Sequence, residues 1–256
     1  MKHFASLLAT IALICSCSGT SKIIEANYDN KTDRAAVSLN IQVPDGNSAA
    51  AAAIRNELVK LFVGSSDCFN LQEFGEVTPD NLDAFVAEFG NARFRADEQT
   101  AATASEEDDW DVTLEFSNSI ALTYESDKVM SFTGTSFEYA GGAHGFSSSC
   151  DFTFSKTDGS MINSIIDRSR TNEMQRLLIK GLKDYFQSEE GFDFDCISLD
   201  NGLVPLPSNE PSFTEDGLKF IYQEYEIVPS AMGMPSFTIP YDDIREFLTP
   251  QAKALL

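Results

Sequence analysis

Apolar residues follow two repeat patterns, one typical of strands and one typical of helices, and each pattern occupies its own stretches of the chain. These patterns constrain the fold more than any single motif does. Apolar and polar residues alternate early in the chain, which is the pattern of a half-buried strand; the apolar positions are Val37, Leu39, Ile41 and Val43. Apolar residues recur at helical spacing in several other stretches. Most strand patterns follow one another as hairpins instead of alternating with helices. The sequence therefore predicts an α+β fold in which antiparallel sheets pack against a few amphipathic helices.

The individual elements are predicted from the same periods. Helices are expected from Ala49, from Thr78, over 171–188 as the longest one, and over 241–248. Strands are expected over 110–116, 120–124, 129–139, 150–154, 218–225 and 236–239, with Asn118 as the turn between the first two. The remaining signals are an acidic solvated loop over 97–109, a tight turn at Asp158-Gly159 and a short last helical turn after Thr249-Pro250.

The amino-terminal segment has the features of an export signal. Lys2 supplies a positive charge, an apolar run extends from Phe4 to Ile14, and the segment closes with Ser16-Cys17. The apolar run is too short to cross a bilayer, which needs about 20 apolar residues. A small residue directly before a cysteine is typical of bacterial lipoprotein signals, so we expect acylation of Cys17. An ordinary cleaved secretory signal and an uncleaved anchor are the alternatives.

Processing before Cys17 predicts both a layout and a location. Residues 1–16 would leave as the signal peptide, and the polar residues 17–34 would form a tether between the lipid and the fold. The membrane is then a partner through the lipid anchor. We expect a protein of the cell envelope that faces the periplasm or the cell surface.

The charge balance narrows the class of partner. The chain carries 40 acidic and 18 basic side chains, a formal net charge of −22. Such a charge repels nucleic acid and anionic lipid and attracts basic proteins. Nucleic-acid binding is therefore excluded as a predicted function. A basic protein ligand is one reading of the charge, and an acidic surface that only maintains solubility is the other.

Histidine is the most restrictive residue type. His3 would leave with the signal peptide, so His144 would be the only imidazole in the mature protein. This count excludes a metal site built from several histidines, and any Ser-His or Cys-His catalysis would have to use His144. We predict no cofactor, no metal and no catalytic residue.

The cysteines leave their pairing open. Beyond Cys17 the chain has Cys68, Cys150 and Cys196. An exported chain permits one disulfide with one thiol left over, and spacing does not tell which two would pair. Three buried free thiols are the alternative.

An ordered set of motifs in the second half of the chain resembles a known family. The run from Phe137 to Gly145 reads Phe-Glu-Tyr-Ala-Gly-Gly-Ala-His-Gly, and it is followed in order by Asp158-Gly159, Phe213 to Leu218, Tyr225 to Pro229 and Ile239 to Tyr241. Together these stretches resemble the extracytoplasmic domain of unknown function at the carboxyl end of RsiV-like anti-sigma factors and PdaC-like polysaccharide deacetylases. The resemblance covers about residues 110–250.

The resemblance implies a domain layout and a binding role. Residues 110–256 would form the RsiV-like domain, and residues 35–109 the strand-and-helix module that usually precedes it. Some relatives bind lysozyme, whereas others carry a separate deacetylase domain. This chain has no room for that additional domain and lacks the histidines that its zinc would need.

The candidate ligand-binding residues lie in two loops. His144 and Tyr139 belong to the glycine-rich loop, where the imidazole could fix the loop, join a ligand surface or act as an acid or base. Tyr225, Pro229 and Met232 belong to the second loop, because aromatic and thioether groups suit adaptable binding surfaces. Packing in the core is the alternative for the second group.

Acidic clusters are a further candidate, for calcium. The clusters are Asp108, Asp109 and Asp111, and the pair Asp193 and Asp195. Neither follows a full calcium-loop pattern, so we favour solvated loops.

The sequence thus predicts a non-enzymatic envelope lipoprotein that binds another protein, for instance a basic muramidase such as lysozyme. An enzyme that acts on envelope polymers through His144 and a structural envelope lipoprotein are the alternatives.

Overall fold

The computed structural model describes residues 21–108, 113–186 and 194–256 and contains two sheets. The larger sheet has five strands in the order β1 (Ile23–Lys31), β2 (Ala35–Pro44), β3 (Leu114–Glu125), β4 (Val129–Tyr139) and β5 (Phe146–Ser155). Neighbouring strands are antiparallel except β2 and β3, which are parallel because three helices lie between them in the chain. The predicted α+β class is confirmed, and the parallel pair is its one departure from purely antiparallel pairing.

Helices cover one face of this sheet. They are α1 (Ala49–Val63), α2 (Leu71–Phe74) and α3 (Leu82–Asp108). The alternating residues of β2 that the sequence marked as apolar are all buried against them, which confirms the strand and its inward face. Phe62, Phe85 and Phe89 form an aromatic cluster between α1 and α3. The opposite face of the sheet is lined by small polar side chains.

A smaller antiparallel sheet forms a second core. Its strands are β6 (Ser212–Phe213), β7 (Gly217–Ile221) and β8 (Ser236–Pro240), and the helices beside it are α4 (Thr171–Phe186), α5 (Tyr241–Ile244) and α6 (Pro250–Lys253). Met174, Leu178 and Leu182 are buried on α4, which confirms the predicted stripe of that helix. Residues of β4 and β5 touch β6, so the two sheets lie in direct contact.

The predicted tether over 17–34 is wrong for the residues that the structure describes. Ile23–Lys31 forms the edge strand β1, paired antiparallel with β2. Only Ala26 is fully buried in this strand. An edge strand with one buried residue shows almost no alternation in hydrophobicity, so the pattern did not reveal it.

The predicted loop over 97–109 is helical as far as Asp108, which makes α3, and not the 171–188 helix, the longest of the described part. Ala is the strongest helix former, and Ala101 is buried. Thr100 Oγ1 donates to Ala96 O at 2.9 Å, which occupies a hydroxyl that otherwise favours turns. Acidic composition was therefore a poor guide to the local structure.

Asn118 is not a hairpin turn. It lies within the continuous strand β3, and its side-chain amide donates to Phe62 O at 2.7 Å, beyond which α1 ends. The sequence predicted a turn because Asn118 is a polar residue between two apolar runs. Its hydrogen-bond partner, Phe62, is far away in the sequence. Trp110 and Val112, which the sequence assigned to the first arm, lie outside the described residues.

Several elements lie close to where the sequence placed them. The strand over 129–139 has the predicted bounds, and α4 begins at Thr171. Asp167 caps the 3-10 turn Arg168–Arg170, which leads into α4, by accepting from Ser169 N. The strand predicted over 218–225 ends at Ile221, and the helix predicted over 241–248 continues after Ile244 only as a 3-10 turn.

The predicted domain boundary at 109/110 falls inside the larger sheet. Strand β2 precedes this position and pairs along its length with β3, which follows it. Ile120, Phe132 and Phe154 share one core with the helices α1 and α3. The strand and helices before this position therefore share their core with the strands that follow it.

Candidate functional site

The glycine-rich loop joins β4 to β5 and displays His144 at the surface. Gly141 and Gly142 have φ of 95° and 96°, values that side chains rarely adopt, which explains the two adjacent glycines. Tyr139 Oη donates to Gly142 O at 2.9 Å and so pins the loop to the end of β4. A Cβ at Gly145 would lie 2.4 Å from the ring of Phe137, so this glycine lets the ring pack on the backbone.

The imidazole of His144 is held from both sides. Its Nδ1 lies 3.0 Å from Gly145 O, a contact that requires a proton on Nδ1 because a carbonyl only accepts. In that neutral tautomer Nε2 is an acceptor, and the hydroxyl of Tyr225 lies 3.4 Å from it. The structure therefore brings together His144, Tyr139 and Tyr225, which the sequence placed in two different loops.

Tyr225 has an unusual backbone conformation. Its φ is 63°, a genuine outlier for a bulky residue that costs on the order of 1–3 kcal/mol. Its side chain is 56% exposed, so burial of the ring does not repay this cost. Strain of this kind persists only where the surrounding structure fixes the segment.

Hydrogen bonds from β5 fix the loop that carries Tyr225. The amide of Gln223 accepts from Ser149 N at 3.2 Å and donates to Ser149 O at 2.6 Å, and thereby acts as one residue of an additional strand. The carboxylate of Glu226 accepts from Gln223 N at 2.7 Å and from Ser208 N at 2.6 Å. Gln223 and Glu226, on either side of Tyr225, thus fix its backbone, while its ring stays exposed to solvent.

Pro229 and Met232 belong to the next turn. Pro229 O accepts from Met232 N at 2.9 Å at the start of a short 3-10 helix, Ser230–Met232. Met232 is partly buried against the second core, and its sulfur lies 3.9 Å from the exposed Cys196 Sγ. The core-packing alternative therefore describes Met232 better than it describes Tyr225.

Two further residues of this surface were missed by sequence reasoning. In the described part of the chain the large exposed hydrophobic residues are Phe146, Leu199 and Tyr225, each between 51% and 56% exposed. Phe146 follows the glycine-rich loop directly, and Ser198, beside Leu199, donates from its backbone N to Ile227 O at 2.7 Å. We call the surface formed by His144, Phe146, Leu199 and Tyr225 the contact surface. No local signal distinguishes these hydrophobic residues from those of the core.

The segments that form the contact surface contain almost no cations. No Lys or Arg occurs between residues 129 and 155, and Lys219 is the only one between 194 and 244. Lys219 is already paired, with its Nζ 3.3 Å from Asp151 Oδ2. The same segments supply acidic residues, among them Asp200 and Glu224, whereas Glu138 is paired with Arg93 of α3 at 2.5 Å. These segments therefore carry a net negative charge.

Asp151 forms the polar joint between the two sheets. Its side chain is only 2% exposed, and it accepts from Thr133 Oγ1 at 2.5 Å and from Ser212 Oγ at 2.8 Å besides its contact with Lys219. The neighbouring Cys150 is half-buried near Asn209, and burial raises the pKa of its thiol. The joint places the Tyr225 loop beside β5, because β7 leads directly into that loop.

The structure also locates the cysteines and the acidic residues that the sequence analysis considered. Cys68, Cys150 and Cys196 are free, and Cys196 is exposed. Within residues 21–108, 113–186 and 194–256, no three His, Cys, Asp or Glu side chains gather closely enough to hold a metal ion. Of the acidic clusters named for calcium, Asp109, Asp111 and Asp193 lie outside the described residues.

Comparison with known proteins defines the class of this chain. A family model described as deacetylase PdaC matches residues 30–147, and one described as a protein of unknown function (DUF3298) matches residues 169–242. The chain therefore combines a PdaC-like region with a DUF3298-like domain of unknown function, as the motifs indicated. The glycine-rich loop lies at the end of the PdaC match, and the Tyr225 loop lies within the DUF3298 match.

Solved structures share the fold over nearly the whole chain. A DUF3298 family member from Bacteroides fragilis NCTC 9343 matches with a TM-score of 0.65 and 16% identity, covering 90% of this chain and 94% of its own. A DUF3298 family protein from Pseudomonas aeruginosa PAO1 matches with a TM-score of 0.61 and 12% identity, covering 91% and 96%. Curated proteins gave no match. In the part of the chain that the structure describes, no helix is both long and apolar enough to span a membrane.

Proposed function

We propose that this protein is a lipid-anchored binding module of the cell envelope that recognises a basic protein through the contact surface. The observation that carries the proposal is the position of the exposed hydrophobic residues. Phe146 and Tyr225 lie on segments that the contact between His144 and Tyr225 joins, and Leu199 follows Ser198, which donates to Ile227 O in the Tyr225 loop. The one cation of these segments, Lys219, is paired with Asp151.

The composition of the contact surface suits protein recognition. Aromatic residues that stay exposed in a free monomer are typical anchors of an interface, and a rim of one charge steers a partner of the opposite charge. The loop of Tyr225 is fixed before binding by Gln223 and Glu226, so little conformational entropy is lost on association. A net charge of −22 extends the attraction beyond the contact itself. The family resemblance makes a muramidase such as lysozyme the first basic protein to test.

We expect Tyr225→Ala to weaken lysozyme binding by about 30-fold, because truncation of an aromatic anchor costs about 2 kcal/mol. The measurement is titration calorimetry on the soluble chain from residue 18 onward, at about 0.1 M salt. Glu224→Lys should weaken binding too, whereas Glu73→Lys, the same charge change on α2, should have little effect.

Three outcomes would contradict the proposal. They are no binding of lysozyme at either about 0.1 M or about 0.01 M salt, equal effects of the two charge reversals, and turnover of a cell-wall substrate by the purified chain. Circular dichroism of each variant separates loss of binding from loss of folding.

The lipid anchor is a separate part of the proposal and has its own test. We expect Cys17→Ala to block incorporation of a palmitate analogue and to leave the precursor unprocessed, because the cysteine sulfur receives the lipid. Cys15→Ala is the matched control and should leave labelling unchanged. Gel mobility and mass spectrometry of the membrane fraction measure both. Normal processing of the Cys17 variant would contradict acylation at this residue.

A further inference from the structure

The face of the larger sheet that points away from α1 and α3 carries a shallow trough beside the contact surface. Its cavity of about 500 Å³ is lined by Asp29, Ser38, Glu115, Ser117 and Phe137, with Lys31 at the strand edge. The strand register places Asp29, Ser38, Ser117 and Phe137 side by side in one row across four strands. Lys31 and Glu115 lie in the next row, on either side of Ala36.

The two carboxylates of the trough have no partner among the described residues. Asp29 and Glu115 are exposed and make no ion pair or side-chain hydrogen bond there. Glu25, four residues before Asp29 on the same face of β1, behaves differently. Its carboxylate accepts from the amides of Gln42, Asn27 and Asn40, and these hydrogen bonds, that of Gln42 foremost, lower its pKa. The sheet face therefore satisfies one carboxylate and leaves two open.

Phe137 forms the wall of the trough nearest to the contact surface. Its ring tip packs on the backbone of Gly145, which adjoins both His144 and Phe146. Phe137 therefore joins the trough to the glycine-rich loop that carries His144. Ser38 and Ser117 line the floor with hydroxyl groups, which accept hydrogen bonds and leave space for a side chain.

We propose that the trough receives an arginine side chain of the basic partner, an inference that rests on the proposed function. At a strand spacing of about 4.8 Å and a rise of about 3.4 Å per residue, the Cα atoms of Asp29 and Glu115 lie about 12 Å apart. Both residues line the same cavity, so a guanidinium seated in it lies between the two carboxylates. Two carboxylates and an aromatic wall are the groups that bind this cation.

Lys31 makes it possible to predict the direction in which each charge change should alter the affinity for a cation. In the described part of the chain its ammonium makes no ion pair, although it lines the same trough. A fixed positive charge there repels an incoming cation. Removal of that charge should strengthen binding, whereas removal of either carboxylate should weaken it.

The test uses the soluble chain and two probes, the peptide Arg-Arg-Arg and lysozyme, in titration calorimetry at about 0.05 M salt. We expect Asp29→Asn combined with Glu115→Gln to weaken peptide binding by about tenfold or more, because charge-assisted hydrogen bonds are lost. Lys31→Gln should strengthen it. Glu25→Gln is the matched control and should leave it unchanged.

The outcomes separate this inference from the proposed function. An unchanged peptide affinity in the double variant, or a loss as large in Glu25→Gln, would overturn the trough as an arginine site. If Tyr225→Ala still weakened lysozyme binding by the predicted factor in that case, the proposed function would stand. If lysozyme did not bind but the peptide affinity depended on Asp29 and Glu115, the proposed function would be contradicted. The trough would still be supported as an arginine site.

Discussion

Asp151→Ala should lower the free energy of unfolding by about 3 kcal/mol, because removing one partner of a buried ion pair costs about 3–5 kcal/mol. The substitution leaves the ammonium of Lys219 without its carboxylate and the hydroxyls of Thr133 and Ser212 without their acceptor. The side chain of Lys219 is 31% exposed, so water recovers part of the loss and the lower end of the range applies. Urea denaturation of the soluble chain measures the change.

Two control variants test whether the loss of stability comes from the buried contacts of Asp151. Asp151→Asn keeps the shape and one acceptor oxygen, so it should cost less than the alanine variant. Asp29→Ala removes an exposed carboxylate that has no partner among the described residues, and it should stay within about 0.5 kcal/mol of the parent. A change below about 1 kcal/mol for Asp151→Ala would show that the polar joint does not hold the two sheets together.

Gly217→Ala should destabilise the chain by about 3 kcal/mol, the upper end for overpacking, because the obstacle is backbone. A Cβ at this position would lie 2.1 Å from Ile239 O and 2.7 Å from the Ile239 carbonyl carbon. Strands β7 and β8 would have to separate where they begin and end. Gly217 O also accepts from Thr214 N at 2.9 Å, so the turn before β7 would move as well.

Gly202→Ala is the control for the loss of a glycine alone. Gly202 has φ of 80° and nothing within 4 Å of the added Cβ, so its substitution should cost only about 1 kcal/mol from the backbone. Thermal or urea unfolding compares the two variants. Equal losses would show that conformational preference, and not the contact with Ile239, requires the glycine at position 217.

Much of the fold could be predicted from local pattern. The alternation in β2, the strand over 129–139 and the buried stripe of α4 were all visible because burial imposes a period on each element. The errors fall where that period is weak. Strand β1 buries one residue fully, and the end of α3 is held by alanine and threonine instead of a broad apolar stripe.

The candidate site could be predicted only in part. His144, Tyr139 and Tyr225 were singled out by residue type, and the structure places Tyr225 against His144 and Tyr139 against Gly142 of the same loop. Phe146 and Leu199 were missed because an exposed hydrophobic residue has the same sequence signature as a buried one. The trough was also hidden, since Asp29 and Glu115 come together only through the register of three strands.

Composition and local pattern were enough to predict the α+β class, the scarcity of histidine, the strong negative charge and the glycines that the loop after β4 requires. Each of these is a property of composition or of neighbours in the chain. The parallel pairing of β2 with β3, the exposure of Tyr225 and the burial of Asp151 became visible only in the folded chain. These depend on contacts between residues far apart in the sequence, whose free energies no local period encodes.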